Sequence, residues 1–256
     1  MIECFDVTLP ALTGETPRRA WVYVPDFAKD ERSLRFPVLY MFDGHNLFFD
    51  DVATYGKSWG LKEFLEENET PLIVAAAECN HTGTERLNEY SPFPGELLGH
   101  ERVKGRGKAM MDWYAQAFKP YIDDNYPTLP QRKYTFLAGS SMGGLMTLYG
   151  VLRYNQVFSR GAALSPTIWF ARDRLERMIR NARVGRDTVL YMDYGQREMD
   201  RRGMECWYGA VTGMLLEKKI NLTSRIVPGG THSEASWERQ IPYFINTLLY
   251  ELDEEE

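Results

Sequence analysis

Gly139-Ser140-Ser141-Met142-Gly143-Gly144 is the stretch that decides the fold. Ahead of it runs Tyr134-Thr135-Phe136-Leu137-Ala138, apolar and strand-prone, and behind it Leu145-Met146-Thr147-Leu148-Tyr149 reads as helix. The order is strand, tight glycine turn, helix. Gly139 to Gly143 fits the pattern G-x-S-x-G, a nucleophile elbow centred on Ser141. So sharp a turn asks for glycine on both flanks, because a Cβ there would strike the neighbouring strand or helix, while the serine itself sits in strained backbone. The strain pushes the Ser141 hydroxyl out at the sheet edge. The new helix points its free N–H groups at the same spot.

Outward from the elbow, strands and helices alternate. Strands are expected over 2–9, 18–24, 36–42, 71–77, 134–138, 161–164, 188–193 and 222–227. The first two read as an antiparallel hairpin turning through Thr13-Gly14-Glu15-Thr16-Pro17. The continuous apolar run 36–42 fits a strand covered on both faces. Helices are expected over 61–67, 107–124, 143–154, 168–181, 204–219 and 236–252, the last with Pro242 in its second turn. Repeated β-then-α order predicts a mainly parallel twisted sheet with helices on both faces, here the α/β-hydrolase fold in one domain over 1–256. No inserted cap domain of about 50 or more residues is evident between the elbow and the candidate acids that follow the strand 188–193, so the site is expected to be open.

Composition narrows the function classes. The chain has 256 residues, 44% hydrophobic and 26% charged, with a net charge of −6 and no basic block. Nucleic acid and anionic membrane are therefore not expected partners. The acidic end, 251–256, reads as a solvated tail, and residues 1–6 lack the basic and apolar segments of a signal peptide. No run of about 18 apolar residues offers a membrane span. Cys4, Cys79 and Cys206 are widely spaced and odd in number, which predicts reduced thiols in a cytoplasmic protein, not a disulfide framework or a zinc site.

A serine nucleophile needs a base. Of His45, His81, His100 and His232, the last follows the final strand, in Pro228-Gly229-Gly230-Thr231-His232-Ser233-Glu234. Thr231 and Glu234 match a capping box for the last helix. The orienting acid should fall between serine and base in the chain. Asp193 ends the seventh strand, and Glu198 and Asp200 lie in the loop beyond it. An acid that receives the imidazole N–H must project past the strand's carboxyl edge, which favours Glu198, then Asp200. The oxyanion hole needs two backbone N–H donors. One is expected from Met142. The other is expected from His45, with Gly44 letting that backbone approach the substrate carbonyl. Asp43, His45, Asp50 and Asp51 match no familiar metal-ligand spacing, so no metal or cofactor is expected.

Six segments together resemble the esterase branch of the α/β-hydrolases, which includes S-formylglutathione hydrolases, feruloyl and acetyl-xylan esterases, siderophore esterases and mycolyltransferases. They are Tyr40 to Phe48, Arg86 with Asn88-Glu89-Tyr90-Ser91-Pro92, Lys119 to Asp123, Ala138 to Gly144, Leu164 to Trp169, and Gly229 to His232 with Trp237. The resemblance implies an acid three residues after a glycine that ends its strand, here Glu198 after Gly195. Many members carry Asp at that point, which keeps Asp200 open, and some siderophore esterases work with a Ser–His pair alone.

The resulting expectation is a serine hydrolase for a small-molecule carboxylic ester. Ser141 attacks, His232 moves the proton, and Glu198 orients the base. Acyl transfer by the same residues and a silent binding module are the alternatives, and assembly into a homo-oligomer is left open. Walls are expected from 80–107 and 165–173, with Arg86, Tyr90, Trp169 and Phe170 as candidate substrate contacts.

Overall fold

The apolar runs of the sequence become the strands of one mixed sheet in the computed structural model, which describes residues 1–29, 33–97, 101–200 and 203–252. His100 and the acidic end from residue 253 lie outside the described residues. The eight strands are β1 (Ile2–Leu9), β2 (Gly14–Tyr23), β3 (Val38–Met41), β4 (Ile73–Ala77), β5 (Thr135–Ser140), β6 (Arg160–Leu164), β7 (Val189–Gly195) and β8 (Asn221–Val227). Their order across the sheet is β1-β2-β4-β3-β5-β6-β7-β8, with β1 and β2 antiparallel and the rest parallel. This is the α/β-hydrolase architecture.

Burial explains the order. Every residue of β3, β4, β5 and β6 is buried, as continuous apolar strands must be when helices cover both faces. On one face, Tyr40, Phe42 and Leu137 pack under the helices that contribute Met110, Leu145, Leu175 and Val211. On the other, Leu39, Met41 and Phe136 meet Leu61, Leu65, Ile241 and Phe244. Edge strands β1 and β8 keep several residues exposed.

Register brings the carboxyl ends together. Ser140 of β5 pairs with Leu164 of β6, Leu164 with Asp193 of β7, and Gly195 of β7 with Val227 of β8. The loops that leave these ends share one edge, the usual place for a ligand in an open α/β sheet.

Four local expectations are corrected. The hairpin turn is a short helical turn, Pro10–Thr13, with β2 beginning at Gly14. The helix from Gly107 is not one uniform helix: Gly107–Trp113 widens into a π turn over Tyr114–Phe118 before Lys119–Asn125. Pro120 lacks the N–H that an unbroken ladder would need, and the wider turn absorbs its ring. The helix expected from 168 begins only at Arg172 (Arg172–Asn181). The last helix is two, Glu234–Glu238 and Ile241–Leu249, because Pro242 sits in the first turn of the second piece, where a missing donor costs nothing. No helix among the described residues is long and apolar enough to cross a membrane.

Candidate active site

Ser141 stands between β5 and the helix Met142–Arg153, at φ 57° and ψ −121°. A non-glycine residue there is strained by roughly 1–3 kcal/mol, so the surroundings must hold it. They do: its N–H donates to the Leu164 carbonyl at 3.0 Å, and its carbonyl accepts from the N–H groups of Leu145 and Thr167, each at 3.0 Å. Contact accounts for the flanking glycines, Gly139 most strictly. A Cβ on Gly139 would lie 2.9 Å from the Gly143 carbonyl carbon, and one on Gly143 would lie 3.2 Å from Phe42 Cβ.

The loop after β7 and the loop after β8 meet through two more glycines. A Cβ on Gly195 would come within 2.6 Å of the Gly230 carbonyl group, and one on Gly230 within 2.9 Å of Gly195 Cα. The Arg197 N–H donates to the Gly230 carbonyl at 3.0 Å, and the Gly229 N–H to Gln196 Oε1 at 2.9 Å. This contact brings Glu198 against His232: Glu198 Oε2 lies 2.6 Å from His232 Nδ1. An ionised carboxylate only accepts, so Nδ1 carries the proton and Nε2 is left as an acceptor.

Glu198 is itself fixed. Its Oε1 accepts from the Ser165 hydroxyl at 2.7 Å and from the Gly195 N–H at 3.0 Å. The Ser165 hydroxyl in turn accepts from Trp237 Nε1 at 3.1 Å. The role of Ser165 is missed by sequence reasoning, although Leu164-Ser165-Pro166 is among the segments that carry the resemblance. Asp193 does not reach His232. It is buried, accepts from the Ser165 N–H at 3.0 Å and the Tyr191 hydroxyl at 2.8 Å, and burial, with the nearby Glu198 charge, pushes its carboxyl up to about 6. The Thr231–Glu234 capping box is not made. Ser233 is the residue at the helix start, Thr231 Oγ1 contacts Ser233 Oγ at 3.0 Å, and the Thr231 N–H donates to Ser236 Oγ.

Ser141 and His232 line one cavity of about 510 Å³ together with Asp43, His45, Cys79, His81 and Arg86 among others. Met142 opens its helix and His45 sits in a short 3-10 turn, Gly44–Asn46, so both backbone N–H groups belong to first turns, where donors have no partner within the helix. Gly44 is tightly packed: a Cβ there would meet Trp21 at 2.9 Å and Ala76 at 3.0 Å, so its absence lets the turn lie flat on the sheet.

An ion pair lines the same cavity. Arg86 forks onto Asp43, Nε to Oδ1 at 2.8 Å and Nη2 to Oδ2 at 2.6 Å. Burial pushes the Asp43 carboxyl up, but the Arg86 charge and its two hydrogen bonds, with smaller contributions from His45 and Cys79, hold it below the usual range. Asp43 also takes φ 56°, and its N–H donates to the Tyr90 hydroxyl at 3.1 Å. Tyr90 is thus corrected from cavity wall to buried support: its ring packs 5.1 Å from Phe42, within the core. Phe170 is likewise buried, against Gly95. Trp169 lines a second hollow of about 400 Å³ on the far side of His232, with Tyr194, Arg197 and Met204. Asp50 is held by the N–H and hydroxyl of Ser58, each at 2.7 Å.

Comparison with solved structures places this frame. A siderophore hydrolase from Aspergillus nidulans superposes with a TM-score of 0.75 at 17% identity, covering 96% of this chain and 95% of that one. An IroE-like serine hydrolase from Shewanella oneidensis gives a TM-score of 0.75 at 18% identity, covering 96% of this chain and 79% of that one. These likenesses define the class, a protein of the α/β-hydrolase fold. The model of the family described as "Putative esterase" matches residues 13–249, and the chain belongs to that family. An uncharacterized protein, YbbA, of Bacillus subtilis (strain 168) is 24% identical over 156 residues, an alignment spanning 60% of this chain and 58% of that protein.

Proposed function

We propose that the protein is a carboxylic-ester hydrolase that works through an acyl-enzyme on Ser141. The observation that carries the reading is the 2.6 Å contact of Glu198 with His232 Nδ1, beside a Ser141 held at positive φ in the same cavity. Ser141 Oγ attacks the ester carbonyl carbon as His232 Nε2 takes its proton. The oxyanion is held by the N–H groups of Met142 and His45. His232 then protonates the leaving alcohol, and a water that it deprotonates releases the acid. Glu198 fixes the tautomer and stabilises the imidazolium. All of these residues leave one sheet, so one domain performs the reaction.

The His232 side chain is 45% exposed, which gives water ready access to the acyl-enzyme and favours hydrolysis over transfer to another alcohol. The substrate we infer is a small-molecule ester that enters from solvent, with Arg86 in the hollow of Ser141 and Trp169 in the second hollow, both bordered by His232. Membership of the esterase family and the likeness to hydrolases support the reaction class.

The test is hydrolysis of an aryl acetate together with labelling by a fluorophosphonate. Ser141→Ala is expected to remove both, with turnover lower by about a million-fold, the scale on which losing a nucleophilic serine acts. Ser140→Ala is expected to retain most of the activity. Full turnover in Ser141→Ala would end the reading.

A further inference from the structure

We propose that His45, Cys79 and His81 form a binding site for a borderline-soft divalent metal ion of the zinc type, on the cavity wall. Sequence spacing hides it, because His45 leaves β3 while Cys79 and His81 leave β4. These strands are neighbours, and their carboxyl ends deliver the three side chains to one place. One ligand atom from each lies within 4.8 Å of the other two. The imidazole rings of His45 and His81 stand 4.7 Å apart, edge to face, and Cys79 Sγ is 4.0 Å from His81 Nδ1.

The contacts around the two imidazoles favour metal ligation. His45 is 5% exposed, and its Nδ1 has no hydrogen-bond partner among the described residues. Its other nitrogen, Nε2, is 3.0 Å from Thr54 Oγ1. His81 repeats the pattern: Nε2 lies 3.5 Å from Glu78 Oε2, while Nδ1 faces Cys79. An outer oxygen can accept from the Nε2–H of each ring, closely in His45 and across 3.5 Å in His81, which leaves the Nδ1 lone pair free. That is the arrangement by which a metal-bound histidine is oriented. An orphaned, buried imidazole nitrogen is costly unless something accepts its lone pair.

The loop is held before any ion arrives. The Asn80 N–H donates to Glu89 Oε1 at 2.7 Å, and Glu89 is clamped by Arg18 at 2.8 and 2.7 Å. Asp43 is engaged by Arg86 and is not counted as a ligand. Zinc–sulfur and zinc–nitrogen bonds of about 2.3 and 2.0 Å put tetrahedral ligands roughly 3.5 Å apart, so the three atoms must draw in by roughly an ångström. His81, whose side chain is 56% exposed, can supply that movement. A nitrogen–nitrogen–thiolate set suits zinc or cobalt better than magnesium or calcium. As the sulfur–metal bond forms, the Cys79 S–H bond breaks and its proton goes to solvent; no electrons are transferred. The fourth position is then open to water from the cavity.

The readout is metal binding and not ester hydrolysis, so the two readings fail independently. The test uses the full chain carrying Cys4→Ser and Cys206→Ser, because both of those thiols are exposed. Cobalt(II) added to the reduced, metal-stripped protein is expected to give a thiolate-to-cobalt charge-transfer band and the visible bands of a four-coordinate ion. One equivalent of zinc is expected to erase them. Cys79→Ser is expected to lose the charge-transfer band, and the surface change His81→Gln to weaken zinc binding at least about tenfold. Glu78→Gln is expected to weaken it by about tenfold, as outer partners of metal-bound histidines do. A missing charge-transfer band, the same cobalt spectrum in Cys79→Ser, or unchanged affinity in His81→Gln would overturn the proposal.

Discussion

Two strand ends at the carboxyl edge of the sheet treat buried carboxylates in opposite ways. On the β3 side, Asp43 meets a guanidinium fork and its carboxyl is held below the usual range. On the β7 side, Asp193 receives only neutral donors, the Ser165 N–H and the Tyr191 hydroxyl, and burial pushes it up to about 6. Between them Glu198 uses one oxygen on Ser165 and Gly195 and gives the other to His232. A carboxylate saturated by a fixed cation builds a wall. A carboxylate with one oxygen left over can orient a base. The β3 end thus stabilises the fold, and the β7 end positions the proposed chemistry.

The strongest way to break that division is at Glu198. Glu198→Gln is expected to lower turnover by up to about ten-thousand-fold, because an amide can favour the wrong imidazole tautomer and cannot stabilise the imidazolium. Asp200→Asn is expected to cost less than about tenfold, or roughly 1.4 kcal/mol of transition-state stabilisation. Steady-state kinetics on an aryl acetate decides it, and the reverse order of losses would move the orienting role to Asp200.

Arg86 tests the β3 end. Arg86→Met leaves the Asp43 charge buried without its partner, and such losses run at about 3–5 kcal/mol. Urea unfolding is expected to show a loss toward the lower figure, because the Arg86 side chain is 30% exposed and water can replace part of it. An unchanged midpoint would mean that the fork is ornamental.

The smallest effect concerns pH. The raised carboxyl of Asp193 means that the folded state holds its proton more tightly than the unfolded chain does. That contribution is fully present below about pH 4 and is lost as pH rises to about 6, a swing of up to about 3 kcal/mol. Asp43 has the opposite sign: its depressed carboxyl contributes above the unfolded value and is lost as pH falls. Asp193→Asn is expected to flatten the stability profile between pH 4 and about 6 and to raise the urea midpoint above that window. A profile parallel to the wild type would remove Asp193 from the account.

The elbow was legible because part of its constraint is local: Gly139 is dictated by the Gly143 backbone four residues on, although Gly143 itself meets Phe42 of the neighbouring strand's end. The ends of the parallel strands were legible for a similar reason, since apolar runs mark them. Side-chain direction was not. Tyr90 and Phe170 sit in loops that the sequence assigns to the cavity wall, yet both rings turn into the core. The split of the last helix depended on whether Pro242 fell in a first turn or a second, one residue step that pattern alone does not resolve. Glu198 could be ranked above Asp200 from strand-end geometry, but its hydrogen bond with Ser165 joins residues 33 positions apart and needed the sheet register. The grouping of His45 with Cys79 and His81 likewise follows from β3 lying beside β4.

The back-to-back glycines at 195 and 230 bear on how such a site could change by descent. Neither position can acquire a side chain while the other loop stays in place, because the first new carbon would occupy the neighbour's backbone. The loops that bear Glu198 and His232 are therefore not free to drift separately. A lineage that lengthened one would have to remodel the other in the same step. Innovation in this scaffold is steered toward segments that do not carry that joint, such as the stretch around Tyr55, whose side chain is 78% exposed at the cavity rim.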